Sequence, residues 1–134
     1  MPIVETKIDF FENALSPPHH GNTLRNIAQA IADGKIVGWF QGKSESGNRA
    51  LGNRCILADP RNKDIKSIIN DTIKDREDFT PFAPAVLEEH YQEYFDTNSP
   101  SPYMSRICKV KSDKVPGITH VDNTARIQTV NKQD

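Results

Sequence analysis

The chain of 134 residues is 36% hydrophobic and carries 17 Lys and Arg against 18 Asp and Glu, a formal charge of −1 at pH 7. One domain with a modest core fits that length, and the near-neutral balance removes any global attraction to nucleic acid or to an anionic membrane surface, so anion binding has to be local. No apolar run approaches the ~20 residues of a bilayer span and MPIVETKIDFFE lacks the regions of a signal peptide; Cys55 and Cys108, with no partner at metal-ligand spacing, read as buried, reduced thiols of a cytoplasmic protein.

After an irregular opening that ends in LSPPHHG, the segment NTLRNIAQAIADGK predicts a helix. Leu24, Ile27, Ala28 and Ile31 share one face, Asn22 or Thr23 caps the start and Gly34 ends it. Ile36–Phe40, IVGWF, is short, apolar and bounded by glycine, the pattern of a strand buried on both faces. The polar stretch GKSESGNRALGNR follows it directly, and RCILA, Arg54 to Ala58, predicts a second strand stopped by Asp59-Pro60. Asn62 then precedes KDIKSIINDTIKD, whose Ile65, Ile68, Ile69 and Ile73 lie at helical spacing.

In FTPFAPAVLEEHYQEYF two prolines forbid a helix before Ala85, an apolar trio follows, and Glu88 to Phe95 predicts a short helix. NSPSP is a loop, Tyr103 to Val110 alternates as a strand, KSDKVPG reads as a turn, and Thr124 to Val130, TARIQTV, has the β-branched alternation of another strand. Short strands with two or three helices make an α/β or α+β domain. A sheet that stops on its last strand looks unfinished, which points to a piece of a longer protein.

Three groups of residues could carry chemistry. In GKSESGNRALGNR, Arg49 and Arg54 flank a tight Ala-Leu-Gly-Asn linker, and an arginine fork suits bidentate binding of carboxylate or phosphate. The glycines would let backbone N–H groups approach the same anion. A solvent-exposed hairpin connection is the plain alternative, but the stretch is long for a hairpin and Leu51 would anchor its middle. Neither GxxxxGK[ST] nor GxGxxG is present. The second group, THVDNTARIQTV, sets His120, Asp122 and Arg126 at a loop-to-strand junction, where a histidine could shuttle a proton or face an anion. An Asx turn at Asp122 with His120 on the surface is the option that spacing favours. In the third, REDFTPFAP, Arg76 either favours a helix end or joins the anion site, and Phe79 and Phe82 read as core plugs. His19-His20 has no carboxylate or cysteine at suitable spacing and reads as a solvated pair.

The blocks GWFQGKSESGNRALGNRCILADPRN, INDTIKDREDFTPFAPAVLEE and THVDNTARIQTV, in that order and spacing, resemble the C-terminal domain of the antibiotic and nodulation-factor type O-carbamoyltransferases, from about Leu15 to Asp134. The resemblance implies an N-terminal extension over residues 1–14 and a partial C-terminal domain over 15–134. That domain would be an α/β, YrdC-like twisted mixed sheet with flanking helices, incomplete at its C-terminus. It also implies that carbamoyl phosphate and ATP are converted here to a carbamoyl-adenylate, which a separate N-terminal ASKHA-type domain transfers to an acceptor hydroxyl. ATP would be a co-substrate, magnesium an optional companion, and nothing covalently bound; the alternative is a non-catalytic nucleotide-, RNA- or partner-binding module of the same fold. Carried over by position, Arg49, Arg54, His120 and Arg126 take catalytic roles and Lys43, Gly47, Asn53 and Arg76 contact substrate, with no metal ligand. The family loop is closer to GRMEFGPRALGNRS, so Lys43, Ser46, Asn48 and Cys55 depart from it.

Overall fold

A computed structural model of the protein describes residues 20–74, 77 and 80–131. The chain divides into two units, Met1–Asp59 and Pro60–Asp134. In the first, helix α1 (His20–Ala32) packs against strand β1 (Val37–Phe40). The helix starts ahead of Asn22 and Thr23, which therefore lie inside it. Its end is closed as expected: Gly34 N–H donates to Ile31 O at 2.9 Å and Lys35 N–H to Ala30 O at 3.0 Å, the paired bonds that satisfy the last carbonyls of a helix. Ile27 and Ile31 are half-buried, whereas Leu24, expected on the same face, is 53% exposed.

Strand β1 pairs antiparallel with β2 (Arg54–Leu57), Val37 opposite Leu57 and Phe40 opposite Arg54. The expectation that β1 is buried on both faces is not met. Val37 and Trp39 are half-buried while Gly38 and Phe40 are exposed, because among the described residues β1 pairs with one antiparallel strand and only one face of the ribbon is covered. Cys55 is half-buried rather than buried.

The second unit is built on a four-stranded mixed sheet of order β3-β6-β5-β4, so the mixed α/β architecture expected from the sequence is present. β3 (Ala85–Leu87) runs parallel to β6 (Thr124–Val130); β5 (Arg106–Val110) is antiparallel to β6, and β4 (Phe95–Asp96) antiparallel to β5. The final strand is thus an interior one, flanked on both sides. Its alternation sends Ala125 and Ile127, both 0% exposed, into a core shared with Phe95, Cys108, Val110, Val115 and Ile118, and with Val86 and Tyr94 at its margin.

Several elements around this sheet differ from expectation. The isoleucine-rich segment forms helix α2 only over Ile65–Ile69, then widens into a π turn over Asn70–Lys74. That turn keeps Asn70 wholly buried, its Nδ2 donating to Thr80 O at 3.0 Å. The apolar trio Ala85–Leu87 is the edge strand β3, and helix α3 is confined to Tyr91–Tyr94 because Phe95 and Asp96 leave to pair with β5. Strand β5 begins at Arg106, not Tyr103. Ser101 Oγ accepts the N–H groups of Ser105 and Arg106, and Met104 sits at φ 56°, so the chain curls there instead of extending. The supposed turn KSDKVPG is partly core: Val115 and Gly117 are buried, with Pro116–Ile118 forming a 3-10 turn. Among the described residues no helix is long and apolar enough to cross a membrane.

Candidate anion-binding loop

Between β1 and β2 lies a loop of residues 41–53, closed at its base by Gln41 N–H to Asn53 O at 3.0 Å and by Gln41 Nε2 to Gly52 O at 2.8 Å. Gly42 and Gly52 take φ values of 50° and 115°, the latter far from anything a side chain favours, so the chain reverses at glycine. Gly47, expected to contact substrate, does not have a positive φ and faces open space at its Cβ position.

The organising group of the loop is an acid. Glu45 Oε1 accepts backbone N–H bonds from Leu51 at 2.8 Å, Asn53 at 2.9 Å and Arg54 at 3.3 Å. Chiefly the Leu51 and then the Asn53 amide hold its carboxyl down at about 2, since N–H donors favour the charged form. The backbone amides on this side of the loop therefore face inward to Glu45. Sequence reasoning missed Glu45, although it is the only acid between Gly42 and Arg54, set among Lys43, Arg49 and Arg54. A lone carboxylate in a cationic loop rich in glycine was the available signal.

The two arginines of the loop are placed differently. Arg54 turns back on the loop: Nη1 donates to Gln41 O at 2.7 Å and Asn53 O at 3.0 Å, Nη2 donates to Gly42 O at 3.1 Å, and the guanidinium lies 3.4 Å from the centroid of the Phe40 ring. Those bonds tie both ends of the loop together. Arg49 is exposed and makes no hydrogen bond or ion pair among the described residues. Lys43 is exposed as well, and Asn53 is half-buried. Gly52 N–H approaches Cys55 Sγ at 3.1 Å, and burial pushes the Cys55 thiol up, which leaves it a poor nucleophile at neutral pH.

The second constellation belongs to the second unit. His120 N–H donates to Thr124 O at 2.8 Å and Asn123, at φ 62°, closes a tight turn into β6. The Asx turn favoured by spacing is present: Asp122 Oδ1 accepts Thr124 N–H at 3.1 Å and the Thr124 hydroxyl at 2.6 Å, and that hydroxyl above all lowers the Asp122 carboxyl. His120 is half-buried, with Nδ1 3.4 Å from Thr124 Oγ1. Arg126 follows Thr124 by two residues on the same face of β6. It is half-buried, and its Nε is a buried donor with no hydrogen-bond partner among the described residues. His120 thus lies in the turn that leads into β6, beside Thr124, and Arg126 on the strand itself. Arg76, Phe79 and the side chain of His20 lie outside the described residues, as does His19. Among the described residues no group of three His, Cys, Asp or Glu is placed to hold a metal ion.

The first unit thus presents a glycine-hinged loop with an exposed arginine, and the second a four-stranded mixed sheet. Comparison with known proteins gives the family: residues 28–134 match the family described as "Carbamoyltransferase C-terminus", and the chain belongs to it. Similar proteins include an uncharacterized protein of Synechocystis, 38% identical over 98% of this chain. Nodulation protein NolNO of Sinorhizobium fredii is 50% identical over 78% of the chain, and nodulation protein NolO of Bradyrhizobium diazoefficiens 41% identical over 96%. The matched region covers 24%, 16% and 25% of these relatives' own lengths, so the chain spans a quarter of them or less.

Proposed function

We propose that this chain is the carbamoyl-activating part of an O-carbamoyltransferase, with carbamoyl phosphate and ATP as its ligands and the 41–53 loop as a phosphate-binding element. The observation that carries this reading is the uncommitted fork of Arg49 on a loop whose other strong groups, Glu45 and Arg54, are spent on fixing its shape. Forming a carbamoyl-adenylate from carbamoyl phosphate and ATP consumes one water and releases phosphate and pyrophosphate. Each bound or leaving species is a polyanion, and fixed cations aimed at that charge lower the barrier. In this assignment Arg49 grips a phosphate bidentately, Lys43 adds a point charge, and Arg54 acts mainly by closing the loop. Gly47 and Asn53 line the loop. In the second unit, taken by itself, Arg126 carries an Nε–H with no hydrogen-bond partner among the described residues, and His120 a neutral or protonated donor, both assigned their part through the family pattern. Arg76 joins this set through the family pattern alone. Magnesium enters as counter-ion to the ATP phosphates, and transfer to the acceptor hydroxyl belongs to a separate ASKHA-type domain of the full-length protein in the cytoplasm.

Isothermal titration of the chain with carbamoyl phosphate and with a non-hydrolysable ATP analogue tests this reading. Loss of one charge-assisted bidentate contact is worth about 1.5–3 kcal/mol, so Arg49→Ala weakens binding roughly tenfold to a hundredfold. Equal affinity in the two proteins would remove Arg49 from the site. Binding of RNA with a steep salt dependence and no response to carbamoyl phosphate would instead identify a non-catalytic module.

A further inference from the structure

The amides of Leu51, Asn53 and Arg54 converge on one atom, Glu45 Oε1. Converging backbone N–H groups make a cradle for an anion, and here the chain fills that cradle with its own carboxylate. By Coulomb's law alone a carboxylate in a loop that binds phosphate weakens the binding. The geometry shows what it supplies in return. Leu51 is tied down two residues after Arg49, and Asn53 and Arg54 just beyond, so the turn that carries Arg49 is anchored on its C-terminal side. On the far side of the loop Arg54 holds the carbonyls of Gln41 and Gly42.

We propose that Glu45 is a positioning residue for the anion site: by collecting the amides of Leu51, Asn53 and Arg54 it fixes the turn from which Arg49 reaches a phosphate. Consequently the ligand is held in this loop by the Arg49 fork, while the loop amides serve an internal anion. This inference rests on the reading of the loop as a phosphate site.

A double-mutant cycle separates positioning from charge. Wild type, Glu45→Ala, Arg49→Ala and the double variant are titrated with carbamoyl phosphate, with amide hydrogen exchange recorded on each. Charge alone predicts tighter binding on removal of Glu45, whereas positioning predicts binding about tenfold weaker for Glu45→Ala. That loss largely disappears in the Arg49→Ala background, because Glu45 acts through Arg49. Glu45→Gln keeps an acceptor oxygen and recovers most of the affinity, yet stays a few-fold weaker than wild type; if Glu45→Ala does not fold, the cycle is run with Glu45→Gln. Equal or tighter binding in the Glu45 variant overturns the proposal, and so does an undiminished effect on the Arg49→Ala background. If Arg49→Ala binds like wild type, the phosphate reading fails on its own account and exchange decides the part of Glu45. The Leu51 and Asn53 amides are slow in wild type and fast in Glu45→Ala; fast exchange in wild type contradicts the anchoring.

Discussion

At the scale of single residues, three groups of the loop divide the work. Glu45 binds amides, Arg54 binds carbonyls and the Phe40 ring, and Arg49 binds nothing within the described chain. This division has a pH signature. Glu45 titrates at about 2 in the folded chain against its ordinary value of 4.5, so its contribution to stability is complete above about 4.5 and disappears as pH falls through about 2. Thermal melts of wild type and Glu45→Gln are therefore expected to converge as pH drops across that window and to stay apart above it. A constant separation down to pH 2 would show that the carboxylate does not accept these amides. Arg54 illustrates why residue type alone underdetermines role: its fork suits phosphate as well as Arg49's does, and only the distances to Gln41, Gly42 and Asn53 show that most of it is spent on the backbone.

At the scale of elements, what sequence could reveal depended on whether a segment's partner lies nearby. TARIQTV was legible to the residue, since seven alternating positions with β-branched side chains admit one structure. RCILA and the first helix were legible to within a few residues. Ala85–Leu87 was not legible as a strand, because three apolar residues acquire that identity only from Gln128, Thr129 and Val130 lying parallel beside them. Likewise the strand face of β1 was misjudged because exposure of Phe40 depends on there being one partner strand. The candidate site divided in the same way. Its cations were visible in the motif, but Glu45 became visible only when the loop closed and three amides met it. KSDKVPG hid a packing constraint that the structure turns into a prediction. A Cβ at Gly117 would lie 2.6 Å from Asn62 O and from Ile65 Cγ2 and 2.9 Å from Pro60 O, two of these being backbone atoms that cannot step aside. Gly117→Ala should destabilise the second unit by about 1–3 kcal/mol, read as a shifted urea midpoint with an unchanged slope. An unchanged midpoint would mean that the 3-10 turn is not seated against the segment from Pro60 to Ile65.

At the scale of the molecule, a chain of net charge −1 offers no general attraction to anions. Saturable binding of a phosphate ligand must therefore come from a local arrangement. Membership of the carbamoyltransferase C-terminal family places the chain in its class, and under the proposed function the loop between β1 and β2 is where the ligand's charge is held. The most direct test observes the fork itself. In a 15N-labelled chain titrated with carbamoyl phosphate at fixed ionic strength, the Arg49 Nε–H resonance is predicted to shift saturably, while the Leu51 and Asn53 amides, already held by Glu45, move little. An Arg49 resonance that ignores carbamoyl phosphate, or follows added chloride equally, would contradict the account.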